Sequence, residues 1–165
     1  DPYKVGIRAF EAAEIFRRQG EEARARVEQE RAQENLETAF AYVPNSAEIN
    51  FALGNLWYTR GGVERAKLYY GRTLEFLPRH TGALNNLGVM ALEGKRPEDA
   101  EMLFVDAVKI DPENAKSHYL LALARFERGD LPGARVALTE ALRRSGERRE
   151  FQELAAKLAA REDQR

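Results

Sequence analysis

Residues 94–112 read GKRPEDAEMLFVDAVKIDP, and the small residues and prolines in and around this stretch decide the fold. Pro44, Pro78 and Pro112 follow one another at equal steps along the chain. The same step links two further series, one of Ala66, Ala100 and Ala134 and one of Gly54, Gly88 and Ala122. A fixed period between about 20 and 50 residues is typical of stacked repeats, so the chain is predicted to be a repeat array.

Each period is predicted to be a pair of antiparallel helices, as residues 81–114 illustrate. The apolar residues of this period fall at helical spacing in two stripes: Ala83, Leu84, Leu87, Gly88 and Ala91, then Ala100, Leu103, Phe104, Ala107 and Val108. We expect Gly94 to end the first helix in the left-handed conformation that glycine tolerates. Pro97 suits the first turn of the second helix, and Pro112 ends that helix because an interior proline costs about 3 kcal/mol.

Three consecutive periods share one order of residues: Leu-Gly, a turn glycine, Ala, an aromatic residue, Ala and Pro. Residues 47–80 supply Leu53, Gly54, Gly61, Ala66, Tyr70 and Pro78; residues 81–114 supply Leu87, Gly88, Ala100, Phe104, Ala107 and Pro112; residues 115–148 supply Leu121, Ala122, Gly129, Ala134 and Ala141, with Gly146 in place of the proline. This order resembles the tetratricopeptide repeat family. The resemblance implies an all-α, right-handed α-solenoid of antiparallel helix pairs, here a single domain over residues 1–165.

The first repeat is predicted to be longer than the others, at about residues 6–46. Counting back from Pro44 and counting forward from a turn at Gly20 give registers that differ by seven residues. Seven residues are close to two helical turns, so a helix lengthened by seven keeps the same face inward. We therefore expect one continuous second helix, about 21–43, whose polar stretch EEARARVEQERAQE reaches partly past the other helices. Its inward residues should be Ala25, Ala32, Leu36 and Ala39, and its solvent-facing residues Arg24, Glu28 and Arg31.

Residues 149–163 are predicted to form a capping helix at the end of the array. One stripe carries Phe151, Leu154, Ala155 and Leu158, and charged residues lie opposite, which is the polar-backed helix that closes a repeat array. A membrane-surface helix is the alternative, although such helices are usually basic. The full set of predicted helices is near 3–18, 21–43, 47–60, 63–77, 81–93, 97–110, 115–128, 131–144 and 149–162.

Composition argues against several classes of function. The chain of 165 residues has a net charge of −1 and no cysteine, so it has no disulfide, thiolate metal site or cysteine nucleophile. Because nucleic-acid binding usually needs a basic face and the chain has no long run of one charge, we expect no nucleic-acid partner. The longest apolar runs fall far short of the roughly 20 residues that span a bilayer, so we expect no direct membrane insertion by this segment. His80 and His118 fit no metal or catalytic motif.

We therefore expect no enzymatic activity, no cofactor and no metal. The compartment is open between cytoplasm and periplasm, for a soluble segment that could belong to a larger or membrane-associated protein. Because the chain opens at Asp1 rather than at a methionine, we expect it to be a fragment or a processed form.

The resemblance also implies where a partner binds. Proteins of this family hold a peptide or helix in a concave groove lined by the first helix of each repeat. The matching positions hold Phe51, Asn55 and Tyr58; Asn85, Val89 and Leu92; and Tyr119, Leu123 and Phe126. The first repeat would add Ile7, Phe10, Glu14, Arg17 and Arg18. Large apolar side chains on such a face indicate a binding surface; the alternative is that neighbouring helices cover them.

One variant of the family clamps the C-terminal carboxylate of heat-shock chaperones with two asparagines and three basic residues. Asn55, Asn86 and Lys116 match three of these five positions, but Phe51 and Leu120 stand where the other two cations belong. Without those cations the site lacks the charge-assisted hydrogen bonds that recognise a carboxylate. A working clamp is therefore not expected.

The function that these features favour is a non-catalytic interaction module, an adaptor or scaffold with a protein or peptide partner. By analogy with bacterial members of the family, it could serve an assembly, secretion or exopolysaccharide machine. Two alternatives stay open: self-assembly through the ends of the array or through the long second helix, and a regulatory domain of a larger enzyme. The oligomeric state does not follow from the sequence.

Overall fold

The fold is built from helical hairpins throughout the residues that the computed structural model describes, 1–146 and 148–163. These residues form nine α-helices and no strand: α1 Pro2–Arg18, α2 Glu22–Tyr42, α3 Ala47–Thr59, α4 Val63–Phe76, α5 Thr81–Glu93, α6 Pro97–Ile110, α7 Ala115–Arg128, α8 Leu131–Ser145 and α9 Arg149–Glu162. Every predicted helix is present, and each end lies within about one residue of its predicted position. The all-α prediction is therefore confirmed.

The chain forms two compact units, Asp1–Pro78 with helices α1 to α4 and Arg79–Arg165 with helices α5 to α9. In the first unit α1 pairs with α2 and α3 pairs with α4; in the second, α5 pairs with α6 and α7 pairs with α8. The grouping of all four repeats and the cap into one domain stays a prediction.

In the hairpins α3–α4 and α5–α6, the two helices come close where a glycine on the first meets an aromatic ring on the second. A Cβ atom added to Gly54 would lie 2.5 Å from the ring of Tyr70, and one added to Gly88 would lie 2.4 Å from the ring of Phe104. Both rings are fully buried, so neither can swing aside. The Gly-aromatic pairing of the repeat pattern is thus a steric complement between the two helices of a hairpin.

The hairpin of α7 and α8 has a different pair of residues at these two positions. Ala122 occupies the glycine position and Leu138 the aromatic position, and both are buried in the core of the second unit. A methyl group on one helix is accommodated because the opposing side chain is smaller than an aromatic ring. Both positions thus differ from those of the two preceding hairpins.

Small residues at the start of the second helices are fully buried, as Ala66 and Ala100 illustrate. We predict that Ala100→Leu lowers the free energy of unfolding by about 1–3 kcal/mol, because extra volume at a close contact forces side chains off their rotamers. Lys95→Ala, in an exposed turn, should change it by no more than about 0.5 kcal/mol. Urea denaturation measures both values, and equal effects would mean that the repeat register is wrong.

One turn differs from its predicted conformation. Gly94 has a φ of −78°, so it does not adopt the left-handed conformation that we expected. The left-handed residue is its neighbour Lys95, with a φ of 56°. Lys95 stands one period after Gly61 and one period before Gly129, which have φ values of 74° and 82°. The repeat fixes the place of the left-handed residue, whichever residue stands there.

We predict that Lys95→Gly raises the free energy of unfolding by about 1 kcal/mol, because a residue with a Cβ pays about 1–2 kcal/mol in the left-handed region. The matched control is Gly61→Ala, where nothing lies within 4 Å of an added Cβ and only the backbone cost remains. That change should lower the stability by a similar amount. If Lys95→Gly also lowered the free energy of unfolding, the lysine side chain would stabilise the turn by more than its backbone conformation costs.

The long second helix is confirmed as one uninterrupted helix of 21 residues. Its four predicted inward residues are all buried, while Arg24 and Arg31 are exposed. Glu28 is an exception, since its side chain is only 22% exposed and lies 3.6 Å from Arg31. The end of α3 meets α2 at Gln29, whose amide lies 3.4 Å from the hydroxyl of Thr59. Residues 22–28 therefore extend about 10 Å beyond that contact, at about 1.5 Å per residue.

The capping helix α9 packs against α7 and α8. Phe151, Leu154 and Leu158 are buried against the second unit's core, as the stripe predicts. Ala155, assigned to the same stripe, is exposed and lines a shallow depression between α8 and α9. An i, i+3, i+7 set of three large side chains is thus enough to dock a helix of 14 residues on this hairpin.

Candidate functional site

The candidate site in the second unit lies on the first helices of its hairpins, α5 and α7. Val89 and Leu92 on α5, and Leu123 and Phe126 on α7, are half-buried and pack against the core on one side. Their remaining surface is open to solvent. Val89 is one period from Leu123, and Leu92 is one period from Phe126. The two helices thus offer matching apolar side chains, on which an apolar or amphipathic segment of a partner can bind.

Asn85 departs from the predicted groove surface. Its side chain is only 3% exposed, and its amide donates a hydrogen bond to the hydroxyl of Ser117 at 2.9 Å. Ser117 is itself fully buried, so this polar pair links α5 to α7 inside the packing. A polar residue buried with a partner serves the contact between repeats, because leaving it unpaired would cost about 1–3 kcal/mol.

The capping helix covers part of the face on α7. Tyr119 stacks on Phe151, with ring centroids 4.8 Å apart and planes inclined by 26°. Burial, followed by the nearby carboxylates of Glu150 and Glu153, raises the pKa of Tyr119. At the other end, the guanidinium of Arg161 lies 4.9 Å from the ring centroid of Phe126. The alternative that neighbouring helices cover these side chains therefore holds in part for α7.

In the first unit, the predicted groove residues Phe51, Asn55 and Tyr58 lie on α3 and are half-buried. The carbonyl oxygen of the Asn55 side chain accepts a hydrogen bond from the hydroxyl of Tyr70 at 2.8 Å. Phe51 packs against the ring of Tyr70 with centroids 5.8 Å apart. These contacts tie the α3 face to the hairpin's own packing.

The additional first-repeat residues lie on one side of α1 and mix apolar with charged side chains. Ile7 and Phe10 pack against the core of the first unit. Arg17 forms an ion pair with Glu14, one turn earlier on the same helix, while Arg18 is exposed. Their place in a binding face stays a prediction.

The two residues that stand where the carboxylate clamp needs cations lie in apolar surroundings. Leu120 is 6% exposed and belongs to the core of the second unit, and Phe51 packs on Tyr70. Lys116 is exposed at the start of α7. Supplying the missing charges would place cations in apolar surroundings, which carries a large desolvation cost.

Both histidines have structural contacts in the described part of the chain. His118 is 7% exposed, and its Nε2 atom lies 2.9 Å from the carbonyl oxygen of Pro112. Asn50, two periods earlier in the same register, bonds the carbonyl of Pro44 at 2.8 Å. His118 therefore has a structural role that another residue fills elsewhere. His80 caps α5 by accepting a hydrogen bond from the backbone N–H of Ala83 at 3.0 Å.

Residues 1–146 and 148–163 contain no group of three histidine or acidic side chains placed to hold a metal ion. Within the same residues, every helix is too short or too polar to cross a bilayer.

A second apolar set was missed in the sequence because it lies outside the predicted inward stripes. Leu68 on α4, Met102 on α6 and Val136 on α8 are 58%, 70% and 63% exposed. These three residues occupy the same position in successive repeats. That recurrence is the sequence signal by which the set could have been found. Apolar residues exposed singly are normal on protein surfaces, so we use these positions as controls.

Hairpins with a fixed period, a Gly-aromatic contact and a capping helix define an all-α solenoid of helix-turn-helix repeats. Residues 30–74, 58–115 and 91–158 match the tetratricopeptide repeat. The chain belongs to the tetratricopeptide repeat family.

One curated relative is the TPR repeat-containing thioredoxin TTL4 of Arabidopsis thaliana, which is 29% identical over 97 residues. The matched part is 59% of this chain and 14% of that protein, so the chain spans a small share of the relative's length.

Solved structures with a similar fold come from different settings. MamA from Desulfovibrio magneticus RS-1 is 22% identical with a TM-score of 0.75, over 92% of this chain and 86% of that one. Pseudomonas aeruginosa pilF is 21% identical with a TM-score of 0.72, over 99% and 71%. The first TPR of Spaghetti (RPAP3), bound to the HSP90 peptide SRMEEVD, is 19% identical with a TM-score of 0.66, over 69% and 90%. At these identities the likeness shows the fold alone.

Proposed function

We propose that this chain is a non-catalytic interaction module that binds a peptide or helix of a partner protein on the face of α5 and α7. The observation that carries the proposal is the half-buried apolar set of Val89, Leu92, Leu123 and Phe126. Fully burying one such side chain contributes on the order of 1.5–3 kcal/mol, which is the scale of an interface hot spot.

The chemistry of this face favours an apolar segment over a charged terminus. Leu123 and Leu92 supply apolar surface at its centre, and Arg161 and Lys116 stand towards opposite ends of α7. A partner helix with apolar residues at i, i+3 or i+4 and i+7 would fit this pattern. The peptide-bound Spaghetti structure supports the general mode, since a protein of the same fold holds a peptide. Its acidic ligand calls for cations that this chain lacks at Phe51 and Leu120.

The wider setting that we propose is a bacterial assembly, secretion or exopolysaccharide machine. Two structures of similar fold come from Pseudomonas aeruginosa and Desulfovibrio magneticus, which supports a bacterial setting by analogy. The face on α5 and α7 would then recruit one component of such a machine.

The proposal is tested by comparing Leu123→Lys with the matched control Met102→Lys. Both place a lysine on an apolar helix position, but Leu123 belongs to the proposed face and Met102 is 70% exposed on α6. After affinity capture from the source cells, the captured protein is purified and titrated calorimetrically. We expect Leu123→Lys to weaken binding about tenfold or more, which is about 1.4 kcal/mol, and Met102→Lys to leave it unchanged. If the partner bound Leu123→Lys and Met102→Lys with equal affinity, the binding surface would not lie on α5 and α7.

A further inference from the structure

The first hairpin carries a second apolar stripe on the side of α1 that faces away from α3. Tyr3, Ile7 and Phe10 pack towards the core that α1 shares with α3. Val5, Ala12 and Phe16 lie on the opposite side of the same helix, about half a turn away at about 3.6 residues per turn. No described helix packs over this second stripe in the first unit.

The second stripe lines a furrow between α1 and α2. Two adjoining depressions of about 370 and 390 Å³ share Phe16 and Glu28, so they form one continuous feature. We name it the first-hairpin furrow; its principal residues are Val5, Arg8, Ala12, Phe16, Val27 and Arg31. From Val5 to Phe16 it runs about 17 Å, enough for three turns of a partner helix.

Apolar exposure is high at the tip of this hairpin. Ile15 is 53% exposed and Val27 is 62% exposed. Val27 belongs to the part of α2 that extends beyond its contact with α3, and Ile15 belongs to α1. The hairpin's own interior near this tip is filled by Ala13 and Ala25. Lengthening the hairpin therefore adds exposed apolar surface without adding a large side chain to its core. A partner that covers this apolar surface removes it from water, which favours binding.

The charge of the furrow identifies the chemistry of its occupant. Its lining contains Arg8, Arg24 and Arg31 but one carboxylate, that of Glu28. Arg31 lies 3.6 Å from Glu28, and Arg24 is paired at 2.6 Å with Glu21 on the rim. Because the three arginines exceed Glu21 and Glu28 by one positive charge along an apolar floor, the complementary ligand carries apolar residues flanked by carboxylates.

We propose that the first-hairpin furrow docks an acidic amphipathic helix of a partner protein, at a site separate from the face of α5 and α7. The chain itself shows that a hairpin of this kind holds an amphipathic helix, since α9 docks on α7 and α8 through Phe151, Leu154 and Leu158. The occupant needs apolar side chains at the same i, i+3 and i+7 spacing, with Glu or Asp on both sides of that stripe.

The test uses a fluorescein-labelled peptide that forms four helical turns. It has leucines at positions 3, 6, 10 and 13 and glutamates on both sides of the leucine stripe. A matched control peptide has lysine in place of every glutamate. Fluorescence anisotropy at low salt measures binding to the full chain and to two variants. We expect the acidic peptide to bind at least about tenfold more tightly than the basic one, with an affinity that falls as salt rises. Val27→Glu should weaken the acidic peptide about tenfold or more, and Arg8→Glu should reduce or reverse the preference for it. Val136→Glu, at an equally exposed valine on α8, should have no effect.

Three results would overturn the proposal. The first is equal binding of the two peptides, or binding of neither. The second is binding that responds to Leu123→Lys and not to Val27→Glu, which would place the peptide on α5 and α7. The third is concentration-dependent self-association in light scattering that Val27→Glu abolishes, which would make a second copy the occupant. Failure here leaves the partner titrations of Leu123→Lys and Met102→Lys unaffected, so the two surfaces are tested separately.

Discussion

Gly88→Ala is expected to lower the free energy of unfolding by about 2–3 kcal/mol, at the upper end of the usual cost of overpacking. The added Cβ would lie 2.4 Å from the ring of Phe104, a distance that real Cβ contacts essentially never show. Phe104 is fully buried, so relief requires the two helices of the hairpin to move apart. Chemical denaturation of the purified variant gives the value directly.

The matched experiment pairs Gly88→Ala with Phe104→Leu, which recreates in the third repeat the combination found at Ala122 and Leu138 in the fourth. Phe104→Leu alone should cost about 1–2 kcal/mol through the space that it leaves. The double variant should be more stable than the sum of the single effects predicts, by about 1 kcal/mol or more. Strict additivity would mean that the glycine and the ring do not form one steric unit.

Leu92→Glu and Phe126→Glu are expected to weaken partner binding by at least about 30-fold each, the roughly 2 kcal/mol that marks a hot spot. At Leu92 the new carboxylate must be desolvated without a partner, and at Phe126 it replaces the apolar area of the ring beside Arg161. Both side chains are half-buried against the core, so each change should also lower the melting temperature without unfolding the protein. The measurement is calorimetric titration of the partner beside a thermal melt of each variant.

Leu92→Met is the control for the first of these changes, because it conserves volume and apolar character and should retain binding. Loss of binding in Leu92→Met with an unchanged melt would show that this position requires a specific shape. Unchanged binding in Leu92→Glu would remove the position from the interface. A collapse of the fold in both glutamate variants would mean that these side chains serve the core.

The helices could be predicted because their signals are local and periodic. Pro97 at the first turn of α6, Gly129 in the left-handed conformation after α7 and the buried Ala100 each act at a place that the period itself fixes. The continuous α2 followed from a difference in register of about two helical turns, which preserves the inward face. Period and helical geometry together therefore account for the number and bounds of the helices.

Other features could not be predicted because they depend on which residue a neighbouring helix supplies. Lys95 takes the left-handed conformation because the repeat register requires it there, although the adjacent Gly94 is the better residue for it. Asn85 is buried because Ser117 offers its hydroxyl across the contact between α5 and α7. The covering of Phe126 by Arg161 depends on where the last turn of α9 lies.

The most direct test of a protein-interaction module is site-specific photo-crosslinking inside the source cells. A photoreactive phenylalanine analogue is placed at Leu123 on the proposed face, and separately at Met102, an exposed apolar position outside it. We expect Leu123 to crosslink one discrete partner protein and Met102 to give no comparable product. Crosslinks from Met102 alone, or products from Leu123 that contain nothing but further copies of this chain, would contradict partner binding on α5 and α7.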